Sequence, residues 1–423
     1  MNSSDFAPLP RAAVTFASAF ILLSSALLPP AAHAAFPDAR DAPIAGWSGP
    51  VFRMSQDYPQ TLPPMGNLPW RTLDFKTQPD DYIRAVLDYV VEGNPEVDWE
   101  VQRNAVRKWY HTPWMHRGSS GREFIHGLTR ERNSPRPTSA GRGELHQNQT
   151  RCHQNWAVGF YNPRGGFVVG QVWANENAPD ATKAVFPEGT VVAKLLFTQA
   201  ATTEVPFLRN TFEWDAHINR PSTGTGCPGT GTRQVQKLRL LQLDVAVRDS
   251  RADPTTGWIF GTFVYDGNRS GATVWQRMVP VGLMWGNDPA LTDARVRAGD
   301  KPLESWINPN NQVSRHLGRG GRLNGPVDNP RSACLSCHAT AQTPELSSML
   351  PSAADPMRWF RNIKAAQPFD AGARSLDYSL QLAMGIQNFR AANGPPGAAA
   401  PRPADPRQII IDGKREFRID RGD

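Results

Sequence analysis

The sequence holds four cysteines, and two of them, Cys334 and Cys337, flank Leu335-Ser336 and are followed directly by His338. Two thiols separated by two residues can form thioethers with the two vinyl groups of one porphyrin edge, and the next residue can then direct its imidazole at the iron. This C-x-x-C-H arrangement is the attachment motif of a c-type haem. It predicts one covalent haem c, attached to Cys334 and Cys337 and ligated by His338.

Two other thiol sites compete with this interpretation. A zinc site normally needs a second pair of ligands at matching spacing, and the widely separated Cys152 and Cys227 do not supply one. A thioredoxin-like redox pair is expected where a strand meets a helix, and the residues before Cys334 do not have a strand pattern. Neither pattern is complete, and a thiol protein without haem is kept as an alternative.

The sixth position on the iron decides between an electron carrier and a site that binds ligands. Met384 follows His338 at a spacing typical of the distal methionine of small electron-transfer cytochromes, so the predicted metal ligands are His338 and Met384. The alternative is that Met384 packs on the face of a helix with Leu376 and Leu380. Other histidines that could serve are His111, His116, His126, His146, His153, His217 and His316.

Residues 1–34 have the pattern of a cleaved secretory signal: Arg11, an apolar run from Ala12 to Leu28, and the small-residue stop Ala32-His33-Ala34. An uncleaved membrane anchor is the alternative. No later stretch approaches the length of a membrane span. In bacteria, c-type haem is attached outside the cytoplasmic membrane, so export and the haem motif support each other. The predicted location is the periplasm, with no membrane span after signal removal.

Composition adds weaker constraints. The 423 residues are 39% hydrophobic and 20% charged, which allows a sizeable core and argues against wholesale disorder, while 38 Pro and 35 Gly indicate many loops. The net charge of +7 is at most a hint of an acidic redox partner. We predict no nucleic-acid partner, and the loop 224–229 lacks the Lys-Ser or Lys-Thr of a phosphate-binding loop.

The pattern along the chain predicts an α+β protein, with an antiparallel β-sheet core that carries one c-type haem. Helical N-terminal and C-terminal regions flank this core. We divide the chain into the signal, a helical and loop N-terminal region (35–143), an antiparallel β domain (144–290), a haem-binding segment with helices (291–395) and a Pro/Ala-rich linker and tail (396–423). About five strands are expected, at 166–173, 190–197, 237–248, 258–265 and 275–285.

Local signals refine this outline. The change of apolar phase between Leu240 and Leu241 predicts a β-bulge near Leu240. Helices are expected at 82–91, 96–108, 356–365 and 375–392, the last with Ser375 as its N-cap, and no helix is expected directly before Cys334. The runs 409–411 and 417–419 could form a final strand or hairpin.

Three segments and the late C-x-x-C-H together resemble the cytochrome P-four-sixty family and its relative cytochrome c prime beta. The segments are Phe186-Pro187-Glu188-Gly189-Thr190-Val191-Val192-Ala193-Lys194, Leu243-Asp244-Val245-Ala246-Val247-Arg248-Asp249 and Thr256-Gly257-Trp258. Here the resemblance would cover a core with long N- and C-terminal extensions. It implies a small antiparallel β domain holding a haem whose distal face is open. The implied chemistry is oxidation of hydroxylamine or binding of small gases such as nitric oxide, with electrons leaving through other cytochromes.

In some members of that family a lysine is crosslinked to the porphyrin, and by its place in the first segment Lys194 is the candidate. The alternative is an ordinary strand lysine that faces solvent. Cys152 and Cys227 could form a disulfide or remain two separate buried thiols. Four arginines near the motif could neutralise haem propionates or dock an acidic redox partner, or simply belong to a solvated loop: Arg315, Arg319, Arg322 and Arg331.

These patterns predict an exported mono-haem c-type cytochrome. It would act in electron transfer or in small-ligand redox chemistry at the haem iron, with a redox protein as its partner and a small molecule as a second ligand. The alternative function is a haem-based sensor or binding protein without turnover.

Overall fold

The structure is a computed structural model. It describes residues 36, 43–116, 122–135, 143–221, 227, 232–313, 316–394, 409–411 and 414–416. The predicted signal segment 1–34, Arg315 and most of the tail 396–423 lie outside these residues. The chain from Ala35 to Asp423 forms one compact unit.

Eight strands of the described chain form one antiparallel sheet, which confirms the mixed α and β class with an antiparallel sheet. The strand order is β1-β2-β3-β5-β6-β7-β8, and β4 pairs with β5 beside this path. β5 is long enough to pair with β4 along its first half and with β6 along its second half. The strands are β1 (Thr129–Arg130), β2 (Asn155–Tyr161), β3 (Val191–Thr198), β4 (Glu213–Asn219), β5 (Arg233–Arg248), β6 (Trp258–Tyr265), β7 (Met278–Met284) and β8 (Ser305–Ile307).

Four of the five expected strands are present, while β1, β2, β4 and β8 were not predicted. Strands β3, β5, β6 and β7 match expected runs, and the bulge near Leu240 is confirmed, since Leu196 pairs with Gln242 whereas Phe197 pairs with Leu240. The expected strand at 166–173 is wrong, because this segment belongs to helix α2 (Pro163–Val172). The Asn162 side chain accepts a hydrogen bond from the Gly165 N–H and Pro163 stands at the first helical position, so capping overrides the β-type composition.

Helix α1 (Pro79–Val91) confirms the first predicted helix. Its buried face packs on the sheet, where a Cβ at Gly261 would come within 2.6 Å of the Ile83 side chain. The helix expected at 96–108 is not formed. Short 3₁₀ turns at Pro95–Val97 and Val101–Arg103 take its place, separated by Asp98 and Trp99, whose φ angles of 50° and 59° cannot continue a helix.

The C-terminal helices are shorter than expected. Of the helix predicted at 356–365, only the 3₁₀ turn Pro356–Trp359 is present. Helix α5 (Leu380–Asn393) begins after Ser379, whose side chain accepts from the Leu382 N–H at 3.0 Å, so the predicted N-cap at Ser375 is wrong. The remaining elements are α3 (Asp293–Arg297), α4 (Cys334–His338), β9 (Gln342–Thr343), β10 (Arg374–Ser375), β11 (Ile409–Ile411) and β12 (Lys414–Glu416).

Several smaller expectations are also settled. Residues 322–333, directly before Cys334, contain no helix, as predicted. Strands β11 and β12 form an antiparallel hairpin, although the predicted run 417–419 lies outside the described residues. Cys152 and Cys227 are joined in a disulfide. In the described part of the chain, no helix is both long enough and apolar enough to span a membrane.

The remaining 3₁₀ turns of the described chain lie in the connections between these elements. They are Pro69–Thr72, Ala181–Lys183, Pro206–Leu208, Ser250–Ala252, Trp275–Arg277 and Arg319–Gly321.

Candidate haem-binding site

The C-x-x-C-H residues form the short helix α4. Side chains at positions i, i+3 and i+4 of a helix share one face, so Cys334, Cys337 and His338 project on the same side. Leu335 and Ser336 are buried on the other side. The Ser336 hydroxyl accepts from the backbone N–H of Ala333 at 2.8 Å and donates to its carbonyl at 2.9 Å, which closes the first turn.

The two thiols of α4 are not bonded to each other. Both keep some accessible surface although protein surrounds them. Burial raises the pKa of Cys334 well above its usual value and raises that of Cys337 to about 12, so both are neutral thiols in this state of the chain. The Cys334 sulfur lies 4.0 Å from the Thr262 hydroxyl of β6.

The imidazole of His338 is held from one side. Its Nδ1 lies 2.9 Å from the backbone oxygen of Tyr378, and because a carbonyl can only accept, Nδ1 carries the proton. Burial lowers the pKa of His338 to about 4, which leaves the ring neutral at pH 7 and Nε2 as its basic nitrogen. The Phe260 ring packs against the imidazole with 4.6 Å between centroids. This tautomer is the one that a metal bound at Nε2 requires.

One face of the sheet runs beside α4. Lys194 of β3 lies opposite Asp244 of β5, and Asp244 lies opposite Thr262 of β6. Because side chains alternate along a strand, Phe260 shares the face of Thr262. The Thr262 contact with Cys334 and the Phe260 contact with His338 therefore place this face against the C-x-x-C-H motif.

A charged group occupies this face of the sheet. The Lys194 ammonium is 2.9 Å from Glu131, and its side chain is 29% exposed. Asp244 accepts hydrogen bonds from the Thr262 hydroxyl and the Gln242 amide, both at 2.9 Å. Burial and the neighbouring Asp328 carboxylate raise the pKa of Asp244 to about 7.

Lys194 is close enough to α4 to act on it electrostatically. Its positive charge partly offsets the rise that burial causes in the pKa of Cys337, and it adds to the lowering that burial causes in the pKa of His338. Burial lowers the pKa of Lys194 itself, but the carboxylates of Glu131, Asp328 and Asp244 outweigh burial and raise it. The lysine singled out by the resemblance thus lies beside the motif and is half-buried, while its crosslinking to a porphyrin remains a prediction.

The predicted sixth ligand, Met384, lies on α5 and is partly accessible. Helix α5 begins two residues after Tyr378, and Tyr378 holds the imidazole on the side away from Nε2. Met384 thus follows, six residues later in the chain, the residue whose carbonyl accepts from Nδ1. Coordination by Met384 remains a prediction.

The alternative histidines are spread through the fold. His316 approaches the motif, since its ring bonds the backbone of Asp328, and Asp328 acts electrostatically on Cys334, Cys337 and His338. Protein partners occupy several of the others. His126 stacks on Trp214, His153 bonds Glu204, His217 packs on Phe124, and His146 accepts from the Asn148 N–H.

The arginines before the motif differ in their accessibility. Arg322 is buried, and its guanidinium donates to the carbonyls of Asn287, Asp288, Leu291 and Arg319, so it has a structural role. Arg319 pairs with Asp293. Arg331 is partly accessible and remains a candidate for contact with a haem propionate or an acidic partner.

Sequence reasoning missed the residues that hold the motif in place. Thr262 carried a usable signal, because it is a polar residue inside the otherwise apolar β6, and Asp244 is the one acidic residue of β5. Tyr378 carried none, since its contribution is a backbone carbonyl that any residue could supply. The buried carboxylate of Asp377, which accepts from Phe186, Trp258 and Ala366, was also missed.

Comparisons with known proteins do not identify a family for this chain. No protein-family model matches the chain, and no match is found among the curated proteins or the solved structures. Within the described residues, no three His, Cys, Asp or Glu side chains are grouped so that they could hold a metal ion by themselves. A haem iron takes its equatorial ligands from the porphyrin and needs only an axial residue from the chain.

Proposed function

We propose that this protein is an exported mono-haem c-type cytochrome that carries out small-ligand redox chemistry or electron transfer at the haem iron. One observation carries the proposal: the face of α4 presents two unbonded thiols and a neutral imidazole together. The imidazole is already in the tautomer that leaves Nε2 for a metal. Few other cofactors call for this donor set.

The residues present fit a covalent haem. Cys334 and Cys337 would hold it through thioethers, and His338 would be its axial ligand. When bound, the group supplies an iron that exchanges one electron. The chain's own contribution is to hold the His338 proton at Nδ1 against the Tyr378 carbonyl and to fix the ring against Phe260, which keeps Nε2 directed to one place.

The charged groups on the sheet face favour small-ligand chemistry over simple electron relay. Asp244 has a pKa of about 7, so its carboxylate can take up or release a proton near neutral pH. The Lys194 ammonium, paired with Glu131, supplies a positive charge close to the motif. An electron carrier does not need a proton-exchanging carboxylate at this place, whereas oxidation of a small molecule that carries N–H or O–H groups does.

The resemblance to the cytochrome P-four-sixty family belongs to the same proposal. What supports it is an antiparallel sheet whose face carries Lys194 and Asp244 beside the C-x-x-C-H helix. Hydroxylamine and nitric oxide are then the first molecules to test as substrate and ligand. A haem-based sensor or binding protein without turnover would be the outcome if ligands bind and no oxidation follows.

Export is supported by the disulfide between Cys152 and Cys227, because disulfides persist in oxidising compartments such as the periplasm. We propose that residues 1–34 direct the chain there. The electrons would pass to or from another redox protein. Arg331, partly accessible and close to the motif in sequence, is one positive group that an acidic partner could contact.

Visible spectra of the exported full-length protein test the proposal. We expect a Soret band, a reduced spectrum typical of a c-type haem, and a change of the reduced spectrum when carbon monoxide is added. A protein without a Soret band would overturn the proposal. A reduced spectrum that carbon monoxide leaves unchanged would indicate a filled sixth position and electron transfer without ligand chemistry.

A further inference from the structure

The turn before α5 is organised around one buried carboxylate. Asp377 is 1% exposed. Its Oδ2 accepts from the backbone N–H of Phe186 at 2.8 Å, and its Oδ1 accepts from the indole N–H of Trp258 at 2.9 Å and from the backbone N–H of Ala366 at 3.0 Å. Three donors from three separate segments thus meet on this side chain, which ties the turn to β6 and to the loop before β3.

The backbone of this turn is strained. Asp377 and the following Tyr378 have φ angles of 47° and 67°, in the left-handed region that residues other than glycine rarely adopt. Two such residues in succession persist only where their surroundings hold them. Asp377 is held by its three donors, and the Tyr378 hydroxyl donates to the carbonyl of Ile363.

The strained turn leaves one carbonyl free for the imidazole. If α5 began earlier, the Tyr378 carbonyl would accept from the N–H of Leu382, four residues later. Instead the Ser379 hydroxyl takes the Leu382 N–H at 3.0 Å, and the Tyr378 carbonyl accepts from Nδ1 of His338 at 2.9 Å. The conformation of Asp377 and Tyr378 is what separates these two hydrogen bonds.

We infer that Asp377 is the positioning residue for the axial imidazole: by anchoring the turn, it aims the Tyr378 carbonyl at Nδ1 of His338. This inference rests on the proposed function, in which His338 binds the haem iron. A hydrogen bond donated by Nδ1–H to a carbonyl increases the electron donation of the ring through Nε2 and favours the oxidised iron. Asp377 would therefore tune the reduction potential without touching the haem.

The substitution Asp377→Asn tests this role at nearly constant size. Asparagine has one acceptor oxygen, so its NH₂ group must face one of the three donors that the carboxylate accepts. The turn should shift, and the bond from Nδ1 to the Tyr378 carbonyl should weaken. We expect a higher reduction potential and a lower iron–histidine stretching frequency in the resonance Raman spectrum of the reduced protein.

Asp249→Asn provides a matched control in the haem-loaded full-length protein. Asp249 is also 1% exposed, but its carboxylate accepts from the Tyr82 hydroxyl and from Arg251 rather than from the segments that Asp377 ties together. Both variants should lose stability. Only Asp377→Asn should change the potential and the iron–histidine frequency, since a merely structural loss would leave both values in place.

The outcomes separate this inference from the proposed function. A haem-loaded wild type whose Asp377→Asn variant has the same potential and frequency overturns the inference alone, whereas a wild type without haem overturns the proposed function as well. If Asp377→Asn does not fold, Trp258→Phe removes one of the three donors and keeps the carboxylate. It should shift both values in the same direction by a smaller amount, and unchanged values would contradict the inference.

Discussion

Nδ1 of His338 donates a 2.9 Å hydrogen bond to the backbone oxygen of Tyr378, a residue 40 positions later in the chain. This bond joins the two parts of the candidate site, the short helix α4 and the turn that precedes α5. The sheet supplies the third part through Phe260 and Thr262, which contact His338 and Cys334. Contacts from three distant segments thus hold the imidazole that we propose as the axial ligand.

We expect the reduction potential to depend on pH because of the titration of Asp244. Its pKa, raised to about 7 by burial and by Asp328, means that the side chain is neutral below this pH and negative above it. A negative charge near the motif would stabilise the oxidised iron of the proposed haem, so the potential should fall as the pH rises through 7. Potentiometric titration of wild type and Asp244→Asn between pH 5 and pH 9 tests this, roughly two pH units either side of that pKa. A variant that retains the full pH dependence would assign it to another group.

We expect truncation of Met384 to change the visible spectra little. Helix α5 follows directly on the turn that holds Nδ1 of His338, so we expect Met384 to lie away from the sixth position. The oxidised and reduced spectra of Met384→Ala, with and without carbon monoxide, should match those of the wild type. Met357→Ala, at the 3₁₀ turn Pro356–Trp359, is the matched control. A site that opens to carbon monoxide only in Met384→Ala would identify Met384 as the sixth ligand.

We expect the stability of the fold to depend on the oxidation state of Cys152 and Cys227. The disulfide links Cys152 and Cys227 across a sequence separation of 75, and a disulfide typically contributes roughly 2 to 4 kcal/mol, mainly by restricting the unfolded chain. The double variant Cys152→Ser, Cys227→Ser should lose that much free energy of unfolding in denaturant titrations. Added reductant should destabilise the wild type and leave the double variant unaffected. Equal stability of the two proteins would contradict this account.

We expect the fold to lose stability in mild acid because of the buried His116. Burial, together with the neighbouring His111 and Arg122, lowers the pKa of His116 well below its usual value, so the unfolded chain binds a proton that the folded chain excludes. Stability is then fully present above the unfolded pKa of about 6.5 and falls as the pH drops below it, by up to about 1.4 kcal/mol per pH unit for each such histidine.

The substitution His116→Leu tests this slope. Neither ring nitrogen of His116 has a hydrogen-bond partner among the described residues, so leucine leaves no polar group unpaired. At pH 7 we expect the free energy of unfolding to stay within about 1 kcal/mol of the wild type. Between pH 6 and pH 4 its decline should be shallower, as the protonation of one histidine is removed. The partly exposed His146 provides the control His146→Leu, and an unchanged slope in His116→Leu would contradict the assignment.

Much of the fold and part of the site could be predicted from local sequence. The common face of Cys334, Cys337 and His338 depends only on the spacing within one helix, and the bulge near Leu240 depends only on the apolar phase of one strand. The α2 segment was predicted as a strand because its valines have β-type composition, while the capping by Asn162 decides the outcome. Local propensity and capping disagreed there, and capping prevailed.

The rest of the site depends on pairings between distant segments. Lys194, Asp244 and Thr262 come together only through the register of three strands, which strand composition does not reveal. The role of Tyr378 is carried by a backbone carbonyl, and that of Asp377 by donors from three other segments. No pattern within a short stretch of sequence indicates such contacts.

The central claim is that Cys334 and Cys337 hold a haem covalently. Intact mass spectrometry of the exported protein after acid–acetone extraction, which removes non-covalent haem, tests it most directly. We predict that the wild type retains the mass of one haem and that the double variant Cys334→Ala, Cys337→Ala loses it. A wild-type chain with no added mass and two thiols free to react with an alkylating reagent would contradict the account.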